Sequence, residues 1–228
     1  MYRWNARKPV VVFDLDGTLV DSAPGIAAAL QSVGKADRDI DVVAVRRLVS
    51  LGAEALVQHG LNISEDEVGA ALAAFREVYA QAPCVAGDIF PGAATALHWL
   101  KGQGIGVAVC TNKPQRLAEL VLEKVGLIGT VDVVVGGAAG LPPKPAAAPI
   151  HRALEGFRTR TRALYIGDTE TDALACSNAG VPFVFASFGY GELGRVVERI
   201  GILTKFSELP NVVEAFFCGA IATPTSKI

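Results

Sequence analysis

An α/β fold, built on a parallel sheet with a helical insert after its first strand, follows from three observations. Apolar strand-like runs alternate with helical patterns from about Phe90 onward, and such alternation builds βαβ units. The stretch from Asp21 to about Gly87 breaks that rhythm: it is rich in Ala, Leu, Glu and Arg and has little strand signal. The chain has 228 residues, 51% hydrophobic and 19% charged, enough for one large domain or one plus a smaller insert.

The first strand is the run Val10-Val11-Val12-Phe13, of the kind buried on both faces of a sheet. It stops abruptly at Asp14-Leu15-Asp16-Gly17-Thr18. Helix starts at Ser22-Ala23-Pro24 and Ser64-Glu65-Asp66-Glu67 punctuate the insert, the second with capping-box spacing. The chain is expected to re-enter the sheet domain near Pro91-Gly92. That divides it into a core of residues 1–20 and 88–228 and a helical domain of residues 21–87. Strands are then expected at residues 106–110, 131–135, 163–166 and 183–186, separated by helices at 92–102, 115–125, 146–156 and 171–179. The uncharged stretch from Ala173 to Gly191 is interrupted by Asn178, Gly180, Pro182 and Ser187. It therefore reads as helix, turn and strand, not as a membrane span. Residues 219–228 read as a loose tail.

Net charge is -2 and the isoelectric point about 5.9, so no basic surplus draws in nucleic acid or acidic lipid. After Arg3, Arg7 and Lys8 only five apolar residues precede Asp14, which is not a secretion signal. Cys84, Cys110, Cys176 and Cys218 are scattered with no Cys-x-x-Cys and read as reduced structural thiols of a cytoplasmic protein. The expected partner is a small molecule, and nothing in the sequence sets the oligomeric state.

Side chains two apart on a strand point the same way, so Asp14 and Asp16 bring two anions together. Their repulsion is costly unless a cation or a shared proton relieves it. That pairing suggests a divalent-metal site with one carboxylate free for chemistry. In an open parallel sheet ligands bind beyond the carboxyl ends of the strands, and four expected strands are followed by chemically capable residues. These are Asp14 and Asp16, then Thr111-Asn112-Lys113, then Lys144, then Gly167-Asp168-Thr169-Glu170-Thr171-Asp172. Singly, Thr111 and Asn112 could begin the Lys113-Pro114 turn, Lys144 could be a solvated loop charge, and Asp172 could be a surface helix acid. Their shared placement is the argument. A calcium loop fails because Thr18 and Leu19 stand where an acid or amide and a glycine are needed, and residues 136–144 lack the ending of a nucleotide P-loop. Gly102, Gly104 and Gly106 precede a strand, the wrong order for a dinucleotide fingerprint. Asp21 reads as a cap or linker residue, and His59, His98 and His151 have no ligand spacing.

These residues together resemble the haloacid dehalogenase-like hydrolase superfamily across essentially the whole chain. Asp14-Leu15-Asp16-Gly17-Thr18 is similar to its first motif, Thr111 to its second, Lys144 to its third, and Gly167-Asp168 with Asp172 to its fourth. Thr111-Asn112-Lys113-Pro114, Lys144-Pro145 with Pro149, Asp168 to Asp172 and Phe188-Gly189-Tyr190-Gly191 resemble phosphoglycolate phosphatases in particular. Ala138-Ala139 stands where relatives commonly carry an acid, and Thr169 where Ser is usual. The resemblance implies a Rossmann-like three-layer core with a small inserted all-helical cap. It also implies Mg²⁺-dependent hydrolysis of a phosphate monoester through an aspartyl-phosphate. Asp14 is then the nucleophile and Asp16 the acid and base. Thr111, Asn112 and Lys144 hold the phosphoryl group, and Asp14, Asp168 and the Asp16 backbone carbonyl hold the metal. The implied substrate is 2-phosphoglycolate or a similar small phosphorylated metabolite, with Arg47 and the Ser50-Leu51-Gly52 turn as candidate cap contacts. A pyrophosphatase or a sugar-phosphate mutase remains open on the same core. A dehalogenase would lack the acid at Asp16, and a phosphonatase would need a cap lysine, for which Lys35 alone is present. A non-enzymatic phospho-acceptor module is the alternative of a different class.

Overall fold

Every side chain of β1 (Val10–Phe13) is buried, because helices cover both faces of the sheet in which it is the central strand, paired in parallel with β2 (Gly106–Pro114) and β4 (Ala163–Gly167). β3 (Val133–Gly137) continues the sheet beyond β2, and β5 (Phe183–Ala186) and β6 (Gly201–Leu203) continue it beyond β4. The order is β3-β2-β1-β4-β5-β6, with the chain growing outward from β1 in both directions. The computed structural model describes residues 8–34, 39–137, 140–157, 162–194 and 198–219. The expectations attached to Arg3, Arg7, Lys35, Ala138-Ala139 and residues 220–228 fall outside that set.

Strand alternation divides the core in two. Val11, Phe13, Val107, Val109, Leu164 and Ile166 face α5 (Ala93–Gly102), α6 (Gln115–Lys124) and α9 (Leu209–Phe217). Val10, Val12, Ala108, Cys110 and Tyr165 face α7 (Ala148–Glu155) and α8 (Glu170–Ala179). The result is the expected three-layer, Rossmann-like α/β core.

Between β1 and α5 lie α1 (Ala23–Gly34), α2 (Val42–Val49), α3 (Ala53–Leu61) and α4 (Glu65–Gln81). α1 packs on α2, α3 and α4, and its Leu30 shares a continuous apolar cluster with Leu56, Leu72, Phe75 and the β1 face. The Ser64 cap forms as expected, its backbone N–H donating to Glu67 Oε2 at 3.0 Å. Among the described residues no helix is long and apolar enough to cross a membrane. The stretch after Ala173 is helix, turn and strand, with Gly180 closing α8 in the left-handed conformation. Cys84, Cys110, Cys176 and Cys218 are free, and all but Cys218 are buried.

Two strands differ most from expectation. β2 runs on to Pro114, with a register irregularity after Cys110, so the residues expected to begin a turn are an irregular strand end. β3 starts at Val133, because Thr130 and Val131 close a short 3-10 turn first.

Candidate active site

The register sets Phe13 level with Val109 and Ile166. Asp14, Thr111 and Asp168 therefore leave neighbouring strands within two residues of one another. Each is nearly closed to solvent, as are Lys144 and Asp172. Asp168 is held by two donors: the Thr18 hydroxyl gives to Oδ1 at 2.7 Å and the Tyr190 N–H to Oδ2 at 2.8 Å. The second bond explains Phe188-Gly189-Tyr190-Gly191, because a Cβ on Gly189 would overlap Asp168 Cβ and the Gly17 carbonyl. The Tyr190 hydroxyl also donates to Asp21 Oδ1 at 2.7 Å, and Asp21 pairs with Arg46 of α2 at 2.6 Å. Asp21 is a linker between sheet and insert, as the sequence suggests.

Lys144 is the hub of the buried charges. Its ammonium lies 3.0 Å from Asp14 Oδ1 and 2.6 Å from Asp172 Oδ1, and it also donates to the Cys110 carbonyl at 3.1 Å and the Tyr165 hydroxyl at 3.0 Å. The loop that carries it is splinted by the Asn112 side chain. Asn112 Oδ1 accepts the Lys144 N–H at 2.8 Å, and Nδ2 donates to the Lys144 carbonyl at 3.0 Å. Asp172 is no surface acid. Its Oδ2 accepts the Thr169 N–H at 3.1 Å and the Thr169 hydroxyl at 2.6 Å, which closes the capping box of α8. Thr169 thus serves as a helix cap just as Ser would.

Three carboxylates and one ammonium share this buried space, and their proton affinities reflect it. Burial, opposed by Lys144 and reinforced by Asp172 and Asp16, pushes the Asp14 carboxyl up to about 6. Burial and the charges of Asp172 and Asp14 push Asp168 up to about 8. Burial alone would lower Lys144, but Asp14 and Asp172 outweigh it and hold the ammonium above its ordinary range. The surplus of negative charge is what a cation relieves. Oxygens of Asp14, Asp168 and Asp172 lie within 4.8 Å of one another. Asp14 Oδ1 is buried with no donor in hydrogen-bond geometry, although Lys144 is at ion-pair distance. Both oxygens of Asp172 are already engaged by Lys144, Tyr165 and Thr169. Two donors on each oxygen saturate Asp172, whereas Asp168 has one donor on each and Asp14 Oδ1 none. The open lone pairs are those of Asp14 and Asp168, and an all-oxygen set of this kind suits a hard divalent ion.

Asp16 stands apart from the three. Ser22 donates to its Oδ1 at 2.5 Å, and Lys113 Nζ lies 2.9 and 3.0 Å from its two oxygens. Lys113 in turn faces the Tyr79 ring of α4, 4.6 Å from the centroid. Reasoning from sequence assigned Lys113 no role, yet strand alternation held the signal, since it lies two residues past Thr111. A cavity of about 490 Å³ opens over Asp14, Asp16, Thr111, Lys113 and Lys144, roofed by α3, α4 and the Ser50-Leu51-Gly52 turn. That turn is where the sequence suggested. Arg47 is exposed and does not line the cavity; the cap arginine on its wall is Arg76 of α4, which also lines a neighbouring groove of about 870 Å³.

Comparison with known proteins agrees with this geometry. Residues 11–186 match the family profile described as haloacid dehalogenase-like hydrolase. A phosphoglycolate phosphatase of Rhodospirillum rubrum is 37% identical over 214 residues, covering 89% of this chain and 88% of that one. One from Rhodobacter capsulatus is 34% identical, covering 91% and 98%. The crystal structure of a predicted phosphoglycolate phosphatase from Haemophilus somnus superposes with a TM-score of 0.78 at 25% identity, covering 90% of this chain and 98% of that one.

Proposed function

The chain belongs to the haloacid dehalogenase-like hydrolase family, and from that premise we propose that this phosphatase hydrolyses 2-phosphoglycolate or a similar small phosphorylated acid with the aid of Mg²⁺. The observation that carries the reading is Asp14 itself: a buried carboxylate, short of donors, flanked by a second acid and by Lys144. Asp14 attacks phosphorus, forming an Asp14–phosphorus bond as the ester bond to the leaving oxygen breaks. Asp16 gives that oxygen its proton, then takes one from the water that attacks the aspartyl-phosphate and restores Asp14. The Thr111 hydroxyl, the Asn112 backbone N–H and the Lys144 ammonium hold the phosphoryl oxygens while charge redistributes. Mg²⁺ would be held by Asp14, Asp168 and the Asp16 backbone carbonyl, and supplies the positive charge that lets a carboxylate approach a phosphate. We take residues 21–87 as the cap over a core of residues 1–20 and 88–228, and the cytoplasm, where thiols stay reduced, as the site of action.

Assays of phosphoglycolate, pyrophosphate and hexose phosphates side by side with added Mg²⁺ test the substrate. Phosphoglycolate is expected to give the highest kcat/KM. A clear preference for pyrophosphate or a hexose phosphate contradicts the reading.

A further inference from the structure

We propose that Lys113 reads the carboxylate of the substrate, so that the pocket selects monoesters bearing an acid group on the carbon next to the ester oxygen. The inference rests on the phosphatase reading with Asp16 at the leaving group. An ammonium has three donors, and the two Asp16 oxygens engage two of them at 2.9 and 3.0 Å. The ammonium also faces the Tyr79 ring, 4.6 Å from its centroid. A cation over a ring is held weakly, and a charge-assisted bond to an anionic oxygen competes well with it. The Lys113 side chain is only 6% exposed, yet it lines the cavity. Neutralising Asp16 alone would not require it to face that space.

Reach decides the matter. Asp16 must come within about 2.7 Å of the ester oxygen to pass it a proton. In a two-carbon acid the carboxylate oxygens lie at most about 3.6 Å from that ester oxygen, by ordinary bond lengths. An acid group so placed sits beside Asp16 and hence within reach of the ammonium bound to Asp16. The other cations are worse placed. Lys144 is held between Asp14 and Asp172, at the phosphoryl end of the substrate and not beside Asp16. Arg76 is exposed on the seam with the outer groove, where it suits an acid group farther from the ester.

The test measures kcat/KM for phosphoglycolate and for ethyl phosphate, which lacks the acid, in wild type, Lys113→Met and Arg76→Ala. Wild type is expected to favour phosphoglycolate by about tenfold or more, Lys113→Met to bring the ratio close to one, and Arg76→Ala to leave it. Mere misplacement of Asp16 would lower both substrates alike and leave the ratio intact, so a ratio that survives in Lys113→Met overturns the proposal while the phosphoglycolate reading stands. A wild-type ratio near one overturns that reading as well. Removing one partner of a buried ion pair threatens folding, so a second measurement uses wild type alone. Glycolate should inhibit about tenfold more strongly than its uncharged isostere glycolamide, and equal inhibition overturns the proposal.

Discussion

Asp172 is closed to solvent and makes no use of its charge except to hold Lys144 and cap α8. Asp172→Ala leaves Lys144 paired with Asp14 but unpairs the Tyr165 hydroxyl and the Thr169 cap, and a buried donor left unsatisfied costs about 1–3 kcal/mol. The unfolding free energy in urea is therefore expected to fall by about that much, and an unchanged value would contradict the structural role assigned to Asp172. Asp14 and Asp168 carry a pH signature. Their carboxyls are raised from 3.8 to about 6 and about 8, so the cation-free fold binds protons that the unfolded chain has released. Their contribution to stability accordingly falls as pH rises from about 4 to about 8. A divalent ion favours the ionised forms and competes with those protons. The thermal midpoint should rise more on adding Mg²⁺ near about pH 8.5 than near about pH 6; equal shifts, or none, would contradict a metal on these two acids.

At the scale of elements, α4 and the turn after α2 form the roof of the pocket. Arg47→Ala should leave the KM for phosphoglycolate within about twofold, because Arg47 is exposed and does not line the cavity; a tenfold rise would return it to the substrate. Arg46→Ala breaks a half-exposed pair with Asp21, whose worth to stability is about 0.2–1 kcal/mol, and the urea midpoint should move little. The same scale shows what could be read from the chain. Strands bounded by acids and glycines were legible because an apolar run cannot continue through Asp14 or Asp168. The Ser64 cap was legible because Glu67 stands at the right spacing. β6, with three residues, carried too short a pattern to be recognised. The position of Arg76 and Tyr79 over the sheet depends on how the insert docks, which local periodicity does not encode. Lys113 was concealed by its neighbour Pro114, which invites a turn where the strand in fact continues.

For the molecule as a whole, strand order β3-β2-β1-β4-β5-β6 places the reversal of winding beside β1, where ligands of open α/β sheets bind. Asp14 and Asp168 stand on the two strands that border it. That is why a single strand end carried so much of the function, and why the remaining groups could be gathered from far along the chain before any contact was known. The central claim is that Asp14 is transiently phosphorylated. Borohydride added during steady turnover of phosphoglycolate reduces an acyl phosphate to an alcohol, and peptide mass spectrometry then locates it. The account predicts homoserine at position 14 and nowhere else; an unmodified Asp14 under full turnover, or reduction at another acid, would contradict it.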